Sequence, residues 1–138
     1  MRTLALLCAP VLATSLMACA KAVSTAGFKG EDQEVAKTIS NLQADVTAGD
    51  EQKICANDLA SAIVARLNAA PGGCKQVIKN QLAELESYDV SIQSVQVTAQ
   101  GTRRTASARV KSVYSGRTRP GSLSLVKEGA RWKVSGLG

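Results

Sequence analysis

The chain changes its hydrophobic period once, at Tyr88, and that change bounds what it can fold into. Before Tyr88, apolar residues recur three and four apart: Val35, Ile39, Leu42 and Val46, then Leu59, Ile63 and Leu67 widened by Val64, then Val77, Ile78, Leu82 and Leu85. Residues at that spacing share one helix face, so each set predicts a helix with one buried stripe. The first helix should run from about Asp32 to Ala48, ended by Gly49 in a left-handed cap, with Asp50 placed to cap the next segment. A short turn carrying Ile54 and Cys55 then leads to a second helix, capped by Asn57 or Asp58. Pro71-Gly72-Gly73 breaks that helix, and a third starts near Cys74.

From Tyr88 onward the period is two. Val90 and Ile92 share one parity, while Val95, Val97 and Ala99 share the other, which predicts a bulge or bend near Gln93-Ser94. Gln100-Gly101-Thr102 makes a turn, and the next strand spans about Arg103 to Tyr114. Its alternation puts Ala106, Ala108, Val110 and Tyr114 inward and Arg103, Ser107, Arg109 and Lys111 outward. Leu123 and Leu125 mark a third strand, Glu128-Gly129 a hairpin turn, and Trp132 and Val134 a fourth strand. Helices followed by a strand meander give an α+β class, with three N-terminal helices packed on one face of a curved four-strand antiparallel sheet.

The residues ahead of this pattern have another character. Arg2 supplies a positive start, and Leu4 to Ala18 form an apolar run too short to span a bilayer, which reads as a signal peptide over residues 1–18. Its end, Leu16-Met17-Ala18-Cys19, resembles a bacterial lipobox through Leu16, Ala18 and Cys19, although Met17 is bulkier than usual there. The resemblance implies that Cys19 carries diacylglycerol and an acyl chain such as palmitate and begins the mature protein. The protein would then be held on the extracytoplasmic face of the bacterial cell membrane. Ala18-Cys19-Ala20 also fits ordinary signal cleavage, which would release a soluble chain starting at Lys21. Residues 19–30 read as a flexible tether in which Phe28 docks on the domain, and residues 31–138 as one α+β domain.

Aromatic residues are scarce, with Phe28, Tyr88, Tyr114 and Trp132 the only ones, so the core must be aliphatic. A small domain with a thin core often carries a staple, and Cys55 and Cys74 can supply one in an exported chain. Closing a loop of that size stabilises by about 3 kcal/mol in the chain-entropy model. A zinc site is the competing reading, but two cysteines without a single histidine make a poor ligand set. No metal or other cofactor is expected.

The ending formed by Leu123, Leu125, Val126, Glu128, Gly129, Trp132, Val134 and Leu137, after three helices and a bulged sheet, resembles the nuclear transport factor 2-like superfamily. It is especially similar to small bacterial lipoproteins of that superfamily with a cysteine in the second helical segment and Gly-Gly-Cys before the third. The resemblance implies a cone-shaped pocket, and Tyr88, Asp89, Tyr114 and Trp132 are the candidate residues for it. Superfamily members include isomerases and hydrolases, but no position here matches their catalytic residues, and the chain has no histidine to act as a base near neutral pH. Asp89 reads either as a buried base or, more simply, as a strand-start residue; Trp132 reads as core or as a stacking platform.

Formal net charge is +6, and its distribution is uneven. Acids such as Glu31, Glu34, Asp45, Asp50 and Asp58 gather in the helical half, bases in the sheet half. Strand alternation predicts that Arg103, Arg109, Lys111, Arg131 and Lys133 share the face away from the helices, either as a plain solvated face or as one for anionic envelope surfaces. The expectation is a lipid-anchored, non-catalytic envelope domain that binds a small molecule or a partner protein. The alternatives are a small isomerase- or hydrolase-like enzyme, or an adaptor to anionic surfaces through the basic face. Nucleic acid is disfavoured as a partner by export despite the basic balance, and a homodimer through the sheet stays open.

Overall fold

Helix α1 (Gly30–Ala48) follows directly from the first apolar stripe: Val35, Ala36, Ile39 and Leu42 are buried, and Glu31 and Asp32 in the first turn suit the positive end of the helix dipole. Gly49 ends it at φ 66°, ψ 31°, a left-handed conformation that glycine reaches without a Cβ penalty. The computed structural model describes residues 23–85, 87–114 and 116–138, without the side chain of Tyr114. The signal peptide and Cys19 thus lie outside the described residues. Val23, in the stretch read as a tether, is packed in the core, so that part of the segment belongs to the domain.

The connection after α1 differs from the expected short turn. Asp50 Oδ1 accepts from the Lys53 N–H at 2.9 Å and caps a brief helix α2 (Glu51–Lys53). That helix runs into a π-helical turn (Ile54–Asp58), closed by Leu59 N–H donating to Ile54 O at 3.1 Å. The wider turn carries Ile54, Cys55 and Asp58 all to buried positions, so Asp58 caps nothing. Helix α3 (Ser61–Asn68) begins later than expected. Its cap comes from Glu128, far along the chain, whose Oε1 accepts from both the N–H and the hydroxyl of Ser61 at 2.8 Å. Neither Asn57 nor Asp58 is the cap because the chain between them and α3 is extended, and Leu59 forms a parallel bridge with Val134. Helix α4 (Gly73–Ala83) starts where Asn68 Oδ1 accepts from the Cys74 N–H at 3.0 Å, and a Cys55–Cys74 disulfide ties it to the π-turn.

The sheet is an antiparallel meander of β1 (Tyr88–Gln100), β2 (Arg103–Tyr114), β3 (Arg117–Glu128) and β4 (Arg131–Leu137), in that spatial order. Its register slips between Ile92 and Ser94, the bulge that the switch of parity calls for. A second irregularity, between Ser124 and Leu125, has no signature in the hydrophobic pattern. Among the described residues the molecule is thus α+β, with four helices, the brief α2 being the one not expected, and one four-stranded antiparallel sheet. Ala106, Ala108, Val110, Leu123, Leu125, Trp132 and Val134 meet Val35, Ile39, Leu42 and Ile54 in a single core. A fully buried aliphatic side chain there contributes roughly 1.5–3 kcal/mol. Among the described residues, no helix is long and apolar enough to cross a membrane.

Both edges of the sheet are used. At β4 the Ala60 N–H donates to Val134 O at 2.8 Å. At β1 the buried Gln43 of α1 accepts from the Val90 N–H at 2.9 Å. These contacts occupy backbone groups that would otherwise be open to a further strand.

Candidate functional site

Two concavities of different chemistry flank α1. The first, about 630 Å³, lies under α3 and α4, where Leu42, Ile63, Leu67, Ile78 and Leu82 face the end of β4. It exists because α3 buries no residue completely and α4 buries only Cys74. Their apolar stripes, expected to be core, are half-buried and line a hollow. Polar groups on its wall are Arg66, Gln81 and Tyr88, and Leu137, 82% exposed, stands at its edge. Burial pushes the Tyr88 phenol above its ordinary range, so the hydroxyl stays protonated at neutral pH.

The second concavity, about 540 Å³, is a polar cleft between α1, the π-turn and the β3–β4 hairpin. Asn41 and Asp45 reach it from α1, Asn57 and Asp58 from the π-turn, and Arg131 and Trp132 from β4. Asp58 and Trp132 are each only 4% exposed, yet Asp58 Oδ2 and Trp132 Nε1 have no hydrogen-bond partner. Burial pushes the Asp58 carboxyl up to about 7, helped by the charge and acceptor oxygen of Asp45 and by Asp50, while Lys133 pulls it down. The sequence shows no clustered acid pair, because the π-turn that swings Asp58 beside Asp45 leaves no mark in the apolar period.

Of the four residues expected to share one pocket, Tyr88, Asp89 and Trp132 are placed apart. Tyr88 lines the apolar hollow and Trp132 the polar cleft, with the Lys127 ammonium 5.7 Å from the Trp132 ring centre. Asp89 serves the edge of the sheet: its Oδ1 accepts from Gln43 Nε2 at 3.2 Å, orienting the amide that holds Val90. Gln43 itself has no sequence signal, since a lone glutamine within a helix carries no pattern. Tyr114 pairs with Tyr88 and Arg117 through the backbone, and its side chain lies outside the described residues.

The basic face is also divided. Arg103, Arg109 and Lys111 are exposed on the outer side of β2. Arg131 turns to the polar cleft, and Lys133, 18% exposed at its side chain, donates to Ala56 O at 3.2 Å and lies 4.0 Å from Glu128. Lys133 has outward parity, but β4 is an edge strand flanked by the π-turn, whose carbonyl and acids draw the ammonium sideways. Arg104 and Lys127, on the inner parity, clamp α1 instead. Arg104 pairs with Glu31, and Lys127 reaches Glu31 at 3.2 Å and Glu34 at 3.3 Å. Part of the charge asymmetry is thus helix–sheet complementarity.

No protein-family model matches the sequence, and no curated protein is found to be similar to it. Among solved structures, a designed chain named Rd1NTF2_05, in a variant with point substitutions, is similar over 78% of this chain and 97% of its own, at 17% identity and a TM-score of 0.48.

Proposed function

We propose that this chain is a non-catalytic ligand-binding domain of the bacterial cell envelope, anchored through a lipid on Cys19, that takes an apolar small molecule between α3, α4 and the sheet. In this reading the domain is nuclear transport factor 2-like and the hollow is its cone. The observation that carries the proposal is a cavity of about 630 Å³ whose wall is chiefly aliphatic, closed by two helices that find little else to bury. Small-molecule sites have this size and this composition, a mainly apolar wall with a few polar groups to fix orientation. Arg66, Gln81 and Tyr88 would be those groups. A wall without a paired acid and base supports retention of the ligand over its turnover.

The test is the mass of the protein purified from its own membranes in mild detergent, measured native and then denatured. A denatured mass that starts at Cys19 and includes diacylglycerol supports the anchor, and a chain starting at Lys21 ends that part of the reading. A native mass exceeding the denatured one by a defined apolar molecule is expected. Leu82→Trp, which fills the hollow, should remove the excess. Equal native and denatured masses for the wild-type chain, together with no binding of a fatty-acid probe, would overturn the ligand reading.

A further inference from the structure

Among the described residues, the wall of the apolar hollow carries one charged side chain and no carboxylate. That charge is Arg66, exposed on α3, and α4 adds the exposed amide of Gln81. Neither side chain has a hydrogen-bond or ion-pair partner within the protein. Arg66 differs in this from Lys53, Arg104, Lys127 and Lys133, each of which has an acid within 4.0 Å. The hollow also has an extension. A second concavity, about 490 Å³, adjoins it across Val46, Leu82, Leu85 and Tyr88. Its own further lining, Thr47, Ala48, Gly49 and Ser87, brings no charge.

We infer that the hollow takes a single-chain fatty carboxylate, with its head group on Arg66 and Gln81 and its alkyl chain along the aliphatic wall. The inference rests on the reading of the hollow as a ligand site and names the ligand class. Charge decides the head group. A cationic amphiphile would be repelled by Arg66, and a neutral one would leave the guanidinium beside apolar surface without a counter-charge. A carboxylate balances that one positive charge and accepts from the guanidinium fork through both oxygens, and the Gln81 amide adds a neutral donor. A phosphate monoester would bring a second negative charge, for which the wall has no cation. Shape decides the tail. Two adjoining concavities against the same Leu82 and Leu85 side chains suit an extended chain more than a compact ring system. Both rim groups line the first concavity and neither lines the second, so head and tail have separate places.

The full protein is titrated with laurate, dodecanol and dodecyltrimethylammonium, three probes with one tail and different heads, each below its micelle-forming concentration. Binding is read at the Leu82 and Leu85 amide signals in a nitrogen–proton NMR spectrum. Laurate should bind about tenfold more tightly than dodecanol, and the cation most weakly. Arg66→Gln, at an exposed position, should bring laurate to the level of dodecanol and leave dodecanol itself unchanged. Were Arg66 present only because a cation suits the last turn of α3, the substitution would leave the preference for laurate intact, and the inference would fall. Equal affinities for laurate and dodecanol in the wild-type chain would also overturn it, while leaving an apolar ligand in the hollow. Signals that none of the three probes moves would end both readings together.

Discussion

The two helical regions that cover the sheet are built on different principles. Helix α1 packs: five of its residues are buried, two of its acids are clamped by Arg104 and Lys127, and its Gln43 closes the edge of β1. Helices α3 and α4 are clasped rather than packed, by the Cys55–Cys74 disulfide, by Glu128 on Ser61 and by Asn68 on Cys74, with a hollow beneath them. The difference teaches how a small domain can hold an open cavity: discrete covalent and polar ties replace the packing that would otherwise fill it. Regions with few buried apolar contacts open at lower free energy, which is where ligand exchange is expected to occur.

The sharpest way to break this comparison is to truncate one apolar residue on each side. Ile39, 1% exposed, should cost about 4 kcal/mol when replaced by alanine, whereas Leu67→Ala, at the wall of the hollow, should cost about 1 kcal/mol in urea unfolding. Equal costs would show that α3 packs as α1 does. Next in size, removing the disulfide in a Cys55→Ala, Cys74→Ala variant should cost about 3 kcal/mol, given a sequence separation of 19. Its loss of hydrogen-exchange protection should concentrate in residues 61–83 and spare α1. Gln43→Ala should cost about 2 kcal/mol, because it strips the buried Val90 N–H of its acceptor; protection at the Val90 amide is the readout. Glu128→Ala removes the cap of α3 and should cost about 1 kcal/mol. The Ser61 N–H holds the Glu128 carboxyl below its ordinary range, so this stabilisation is present above the unfolded pKa and fades as pH falls through the lowered folded one.

At Asp58 the sign reverses. Its carboxyl is raised to about 7 by burial and by Asp45 and Asp50, against Lys133. The folded state therefore holds that proton more tightly than the unfolded chain. Stability from this group is full below the ordinary value of 3.8, falls as pH rises from there to about 7, and is flat above. Asp58→Asn should accordingly gain on the wild type across that window when both are unfolded at a series of pH values. A wild-type profile parallel to that of the variant would mean that the cleft is wetter than its geometry indicates.

The elements with strong local signals are legible in the sequence. The stripe from Val35 to Val46, the Gly49 stop, the parity switch after Ile92 and the alternation of β2 each leave a periodic mark, and the structure agrees with them. The features that leave no such mark depend on contacts between residues far apart in the chain. The cap of α3 is a glutamate 67 positions away, and the lock on β1 is a glutamine 47 positions from Val90. By residue type Asp58 reads as a cap, although the π-turn makes it part of a buried acid pair. Tyr88 does line an apolar cavity, but the rest of its wall comes from the helix stripes whose period reads as core.

The bridge between Leu59 and Val134, together with the pairing of Glu31 and Lys127, has a consequence for how the chain acquires its shape. Both join the helical half to the hairpin of β3 and β4, so the Lys127 clamp on α1 and the tie on the segment before α3 cannot form until that hairpin exists. In a chain made or threaded from its N-terminal side, the helices emerge first and wait as amphipathic, uncommitted segments. Closure is a late and largely non-local event, which slows folding and leaves the chain extended for longer. A polypeptide that must pass through a narrow pore before it folds gains from that delay.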